Sequence, residues 1–341
     1  MQVGEVQEGL TSFVGEKSGA DDVRIENLVR LSGGASRETW AFDAHIRSGS
    51  DTDLIEAIFR CDPIPGVASA PGRALEYHLI KAAWDEGVVV PEPLWDGDDR
   101  FGVKFFTMRR VAGEALGARL VRGEQYGDAR TLLPQQLAQS LARIHKVRRE
   151  AHPELATLPG PVPDQPTAKA EVDNYEAAFR LATPDPHPVF ELAFRWLHQN
   201  MPQSGDCSFV HGDYRLGNFM FGEDGLRGVL DWELAHWGDP MEDLGWLAVK
   251  SWRFGGKQPM AGVGDRAAFF EAYEAAGGYP VDAERVRFWE LFGNLRWGVI
   301  TITQAVNYLV GRSKSVELAS IGRRTAETEW ELLNLLEGRG D

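Results

Sequence analysis

One stretch constrains this chain more than any other: HGDYRLGNFMFGEDGLRGVLDWELAHWGDP, residues 211–240. Its acids and amide alternate with Phe, Met, Leu, Val and Trp, so they cannot simply coat a surface. CSFV (207–210), NFMF (218–221) and LRGVL (226–230) are short apolar strands, and Glu223-Asp224-Gly225 supplies turn chemistry between the last two. A hairpin centred near residue 224 sets Asn218 opposite a residue close to 230, one step from Asp231. Asp213 then lies in the loop that enters the same open end. Asn218 and Asp231, held side by side by backbone pairing, offer oxygen ligands suited to a hard divalent cation such as Mg²⁺. Asp213 is left to orient or deprotonate a hydroxyl nucleophile. Any one of these residues alone would read as a turn former; the three at these spacings, with a hairpin between them, read as a site.

Two lobes are expected around that stretch. VRIENLVRL (23–31), TWAFDAHI (39–46) and DLIEAIFR (53–60) read as strands, separated by Gly, Ser and Asp clusters. Residues 62–72 are a breaker-rich loop, and 74–87 have helical spacing with Gly87 as a stop. Strands follow at 88–96 and 101–111. Beyond Gly113 helices dominate, over 133–147, 191–201, 265–277, 283–310 and 315–337, with a Pro-rich loop at 151–168. The fold class expected is α+β, with a small antiparallel-sheet lobe carrying one helix (residues 1–110) and a larger, mainly helical lobe (residues 111–341). A length of 341 residues accommodates both.

Charge and cysteine usage exclude several classes. A net charge of −15 with no Lys/Arg-rich run is the opposite of a nucleic-acid footprint. Cys61 and Cys207 sit in no CxxC pair, which points to a reducing cytoplasm. The first residues lack a basic start followed by an apolar core, so no leader is expected there. The apolar run 297–310 is interrupted by Thr, Gln and Asn, so no membrane association is expected.

His211-Gly212-Asp213, with Asn218 five residues after that Asp and Asp231 following a strand, resembles the catalytic loop and metal-binding Asp of the protein-kinase-like phosphotransferases. The HGD form with Asp-Trp-Glu at 231–233 is similar to the aminoglycoside phosphotransferase family. HGDYRLGN with LDWELAHWGDPMEDLGWL is especially similar to a branch related to the kinase domain fused to some acyl-CoA dehydrogenases. The resemblance spans residue 25 or so to the end and implies roles. Asp213 is the catalytic base, and Asn218 and Asp231 bind Mg²⁺. His211 braces the loop. Asp243 either holds the catalytic loop or is a solvated helix-start residue. Glu233 either supports the metal site or is merely polar.

The small lobe offers matching parts. The third strand ends on Arg60, where such folds place a Lys on the nucleotide phosphates, and the following helix offers Glu76 as its partner. Arg replaces Lys but keeps the charge and adds bidentate geometry. LSGGASRETW (31–40) lies where a phosphate loop belongs; Gly33 and Gly34 would admit ATP and Ser32 or Ser36 add a hydroxyl, though a plain Gly-Gly hairpin turn explains the same residues. Backbone groups near Arg109–Val111, Arg110 among them, would meet adenine beside Met108, which is otherwise core.

The acceptor expected is a small molecule with a hydroxyl, a hydroxyacyl compound or an antibiotic among the candidates. Its pocket should come from residues 170–200 and 285–310, where Tyr175, Phe179, Trp196, Phe288, Trp289, Phe292, Trp297 and Tyr308 are core or pocket. Two rival readings remain open from sequence. One is a metal-dependent hydrolase using His211, Asp213, Asp231, His236 and Asp239. The other is a nucleotide-binding module without catalysis.

Overall fold

The computed structural model describes residues 1–31, 38–62, 75–183, 185–203 and 206–339. The chain opens on helix α1 (Val3–Ser18), whose Val6, Leu10, Phe13 and Val14 recur at helical spacing and are buried. Gly19 ends it in the left-handed conformation. Three antiparallel strands follow: β1 (Asp22–Arg30), β2 (Glu38–Ser48) and β3 (Asp51–Cys61). Helix α2 (Glu76–Asp85) leads to β4 (Pro93–Asp96) and β5 (Phe105–Arg109). The sheet order is β1-β2-β3-β5-β4.

One sheet face buries Ile25, Trp40, Phe42, Phe59 and Phe105 against α1. The other buries Ala41, Ile58, Phe106 and Met108 in the core shared with α2 and the helices beyond. Strand alternation sends successive residues to opposite faces, so both faces need cover. No element was assigned to residues 1–18 from sequence. Their apolar spacing was there to be read, and α1 is the cover for the outer face.

The larger lobe begins with α3 (Gly117–Arg122), α4 (Gly127–Ile144), α5 (Lys169–Ala182) and α6 (Pro188–Gln199). Short strands β6 (Ser208–Val210), β7 (Phe219–Gly222), β8 (Gly225–Val229) and β9 (His236–Gly238) carry the 211–240 stretch. Then come α7 (Met241–Ala248), α8 (Arg266–Ala275), α9 (Ala283–Leu309), α10 (Val316–Ile321) and α11 (Thr325–Leu336). The expected helix over 315–337 is split by a 3₁₀ turn at Gly322–Arg324.

Helix α9 spans about 40 Å at 27 residues. It is buried on several sides, through Phe288, Trp289, Leu291, Phe292 and Leu295, because α5, α6, α7 and α11 all pack on it. Most of the aromatic residues in the expected acceptor segments are therefore core. Among the described residues no helix is long and apolar enough to cross a membrane.

Candidate active site

The hairpin forms at its open end in the expected register: Phe219 pairs Val229 and Met220 pairs Gly228. Leu230 N–H then donates to Asn218 O at 2.8 Å, so the ladder continues up to Asp231. A bulge at Arg227 shifts the closed end by one residue, leaving Glu223 and Asp224 as a two-residue turn. Gln136 of α4 clasps that turn, accepting from Leu226 N–H at 2.8 Å. The strands thus fix where Asn218 and Asp231 leave the sheet.

The loop before the hairpin is held by its backbone. Asp243, fully buried on α7, accepts from His211 N–H at 2.8 Å and Gly212 N–H at 2.9 Å. His145 Nε2 lies 3.2 Å from the same carboxylate, and His145 Nδ1 lies 2.6 Å from Tyr273 Oη. Burial opposes the Asp243 charge, but the bond to His145, the nearby His211 and the backbone N–H donors outweigh it and hold its pKa below the usual carboxylate range. Of the two readings of Asp243, the geometry favours the loop-holding one over a solvated helix start.

Gly212 is required where it stands. Its φ is +73°, and a Cβ there would lie 2.3 Å from Leu234 O. His211 is buried, and burial pushes its imidazole pKa down. Its Nδ1 accepts from Asp213 N–H at 3.2 Å, so Nε2 carries the proton and donates to Leu230 O at 3.1 Å. His211 therefore links the loop to the hairpin.

Asp213 gathers three donors. Asn218 Nδ2 donates to Oδ2 at 2.6 Å; Arg215 Nε and Trp246 Nε1 donate to Oδ1 at 2.9 and 2.8 Å. Asn218 Nδ2 also donates to Asp213 O at 3.0 Å. Both amide hydrogens of Asn218 are thus committed, and Oδ1 is the atom left to face a cation. Asp231 adopts φ +65°, uncommon for a residue with a side chain. Burial, then the Asp213 and Glu233 charges, push its pKa up to about 6, against the pull of Arg60. A carboxylate raised in this way, with other acids close to it, suits a divalent cation.

Arg60 leaves β3 and pairs with Glu76, the first residue of α2, which is buried. Arg60 Nε is buried and finds no hydrogen-bond partner among the described residues. Met108 packs between Ile58 and Pro93 in the core. Arg110 is engaged within the sheet: its amide donates to Glu56 O at 2.9 Å and its guanidinium pairs with Asp43 and Glu56. The Arg109 amide donates to Glu92 O. Adenine contacts in this segment would thus fall to carbonyls or to the Val111 amide. Ser32, Gly33, Gly34 and Ser36 lie outside the described residues.

Beside Glu233 a pocket of about 130 Å³ is lined by Glu171, Tyr175, His236 and Arg296. Burial alone would lower the His236 pKa, but the charge and hydrogen bond of Glu242, aided by Glu171, hold it up at about 9. Arg296 is buried between Glu242, at 3.2 Å, and the Tyr175 hydroxyl, at 3.0 Å. Tyr175 and Arg296 come from the two segments expected to build the acceptor pocket. Arg215, Trp246, Glu171 and Arg296 were not singled out from sequence. Arg215 stands two residues after Asp213 and was within reach; Trp246 reaches the site only through the fold.

The hydrolase ligand set does not assemble. His211 nitrogens face Leu230 O and Asp213 N–H, His236 Nε2 faces Glu242, and Asp239 is held by Arg285 and Trp289 Nε1. Three of its five members are engaged elsewhere.

Comparison with known proteins agrees with the geometry. The model of the phosphotransferase enzyme family (APH) matches residues 27–289. The chain belongs to that family, whose members transfer a phosphoryl group. Acyl-CoA dehydrogenase family member 11 of Gallus gallus is 29% identical over 174 residues, 50% of this chain and 22% of the relative. Family member 10 of Mus musculus is 27% identical over 185 residues, 53% of this chain and 17% of the relative. The matched region is therefore about a fifth of each relative's own length. Among solved structures, one from Ralstonia eutropha assigned as an aminoglycoside phosphotransferase superposes with a TM-score of 0.74 at 23% identity, covering 95% of this chain and 97% of that one. The macrolide 2'-phosphotransferase of Brachybacterium faecium superposes at 0.60 with 16% identity, covering 95% and 97%. These place the fold with the kinase-like phosphotransferases.

Proposed function

We propose that this protein is an ATP-dependent small-molecule kinase that moves the γ-phosphoryl group to a substrate hydroxyl. One observation carries the reading. Asp213 and Asn218 are bonded at 2.6 Å at the open end of the hairpin from which Asp231 also emerges. Asp213 aligns the acceptor hydroxyl and takes its proton as the oxygen attacks phosphorus and the bond to the leaving diphosphate breaks. Arg60, braced by Glu76, holds phosphate oxygens and offsets charge that grows in the transition state. Asn218 Oδ1 and Asp231 would hold Mg²⁺, which when bound neutralises phosphate charge. Phosphotransferases of this fold with AMP-PNP and hygromycin B bound, or with GDP bound, support nucleotide use.

The pocket between Glu233 and Arg296 is the proposed acceptor site. Both signs of charge line it, so it suits a polar head with several hydrogen-bonding groups. A metabolic alcohol or hydroxyacyl compound fits as well as an antibiotic. The lobes are taken to divide near residue 110. A reducing cytoplasm suits the two free thiols, Cys61 and Cys207.

Two measurements test the reading. A screen of hydroxyl-bearing metabolites and antibiotics for ATP consumption should reveal an acceptor. Asp213→Asn should then cut turnover by roughly 10²–10⁴-fold while leaving nucleotide affinity nearly intact. Turnover at the wild-type rate in that variant would remove Asp213 from the chemistry.

A further inference from the structure

Asp213 takes donors from three directions, and one of them has no counterpart in the loop motif. Arg215 and Asn218 lie within five residues of it. Trp246 comes from α7, thirty-three residues on, and donates its indole N–H at 2.8 Å. The Trp246 residue is 3% exposed and has two close neighbours. The Arg296 guanidinium sits 4.6 Å from its centroid, and Trp252 packs at 5.1 Å. Trp252 in turn lies 4.5 Å under the guanidinium of Arg215. The same helix carries Asp243, which holds the backbone of His211 and Gly212. One eight-residue helix thus sets both the path of the loop and the orientation of its key carboxylate.

The count of lone pairs gives this a consequence. A carboxylate oxygen accepts about two in-plane hydrogen bonds. Asp213 Oδ1 already takes two, from Arg215 and Trp246, whereas Oδ2 takes one, from Asn218. We propose that Trp246 is a positioning residue for phosphoryl transfer: by saturating Oδ1 and stopping rotation of the carboxylate, it presents Oδ2 to the acceptor hydroxyl. This rests on Asp213 being the base. Arg296, which lines the acceptor pocket and stacks on Trp246, ties the pocket wall to that orientation.

The discriminating variant is Trp246→Phe, which keeps an aromatic ring between Arg296 and Trp252 and removes only the donor. Rates are read as phosphate release from Mg·ATP with water as the acceptor, alongside Asp213→Asn. The expected result is a kcat lowered by about ten-fold or more, the size of one hydrogen bond to a charged group, with the ATP KM within about two-fold of wild type. A wild-type kcat in Trp246→Phe overturns the proposal. So does a loss shared between KM and thermal stability, the signature of a merely structural ring. If Asp213→Asn is inactive and Trp246→Phe is not, only the positioning role falls; if Asp213→Asn is active, the base assignment falls with it. A second readout keeps Trp246 in place and so does not need Trp246→Phe to fold. In ¹⁵N-labelled protein the Trp246 indole N–H should resonate downfield and move in Asp213→Asn; an unmoved resonance means the bond is absent and overturns the inference.

Discussion

At the scale of single residues, the site is specified by what will not fit and by what cannot be left unpaired. Gly212 cannot become Ala without a Cβ 2.3 Å from Leu234 O at φ +73°. Gly212→Ala should lower stability by at least roughly 1–3 kcal/mol, the range for a strained left-handed residue, and reduce turnover with it; thermal unfolding and a rate assay check both. Asp231 is held up at about 6 by burial, Asp213 and Glu233. Asp231→Ala removes the proposed Mg²⁺ ligand and relieves that repulsion, so it should abolish the Mg²⁺-dependent part of nucleotide binding while leaving the fold no less stable. Calorimetry with and without Mg²⁺ measures the first and denaturant unfolding the second. Asp213, Asn218 and Asp231 were legible in sequence because hairpin pairing is a local rule. Arg60 and Glu76 were legible because strand and helix follow one another in the chain. Trp246 was not, since nothing local distinguishes it from any buried indole.

At the scale of elements, caps and turns decide where functional side chains emerge. Asp265 caps α8 by accepting from Ala268 N–H at 3.0 Å. Helix α8 carries Tyr273, whose hydroxyl meets His145 and so reaches Asp243. Asp265→Ala should cost about 1 kcal/mol of stability, seen as a lowered midpoint in denaturant, with the ATP KM unchanged. The hairpin register came out as expected at the open end and slipped by one residue at the turn. Alternation sets a register, whereas a bulge answers to neighbours, here Gln136 of α4 and the Ala112 carbonyl bound by Arg227. Helix α1 had the periodicity of an amphipathic helix; only the sheet it covers shows why that face must exist.

At the scale of the whole molecule, buried charges from distant elements are assembled in one place. His236 on β9 faces Glu242 of α7 and Glu171 of α5, with Arg296 of α9 alongside. Its pKa is raised from 6.5 to about 9, so its contribution to stability is fully present below pH 6.5 and is lost as pH rises towards 9. Unfolding free energy should fall across that window, and His236→Gln should flatten the slope; denaturant titrations at several pH values test it. By itself the sequence determined the lobe order, the hairpin, the acid and amide trio on it, and the Arg60–Glu76 pair. All of these rest on periodicity, turn chemistry and short separations along the chain. Tertiary structure alone decided which oxygen of Asp213 takes fewer donors, which helix holds the 211–213 loop, and which charges line the pocket beside Glu233. Those depend on packing between α5, α7, α9 and the hairpin, where partners are brought together by burial and not by proximity in the chain.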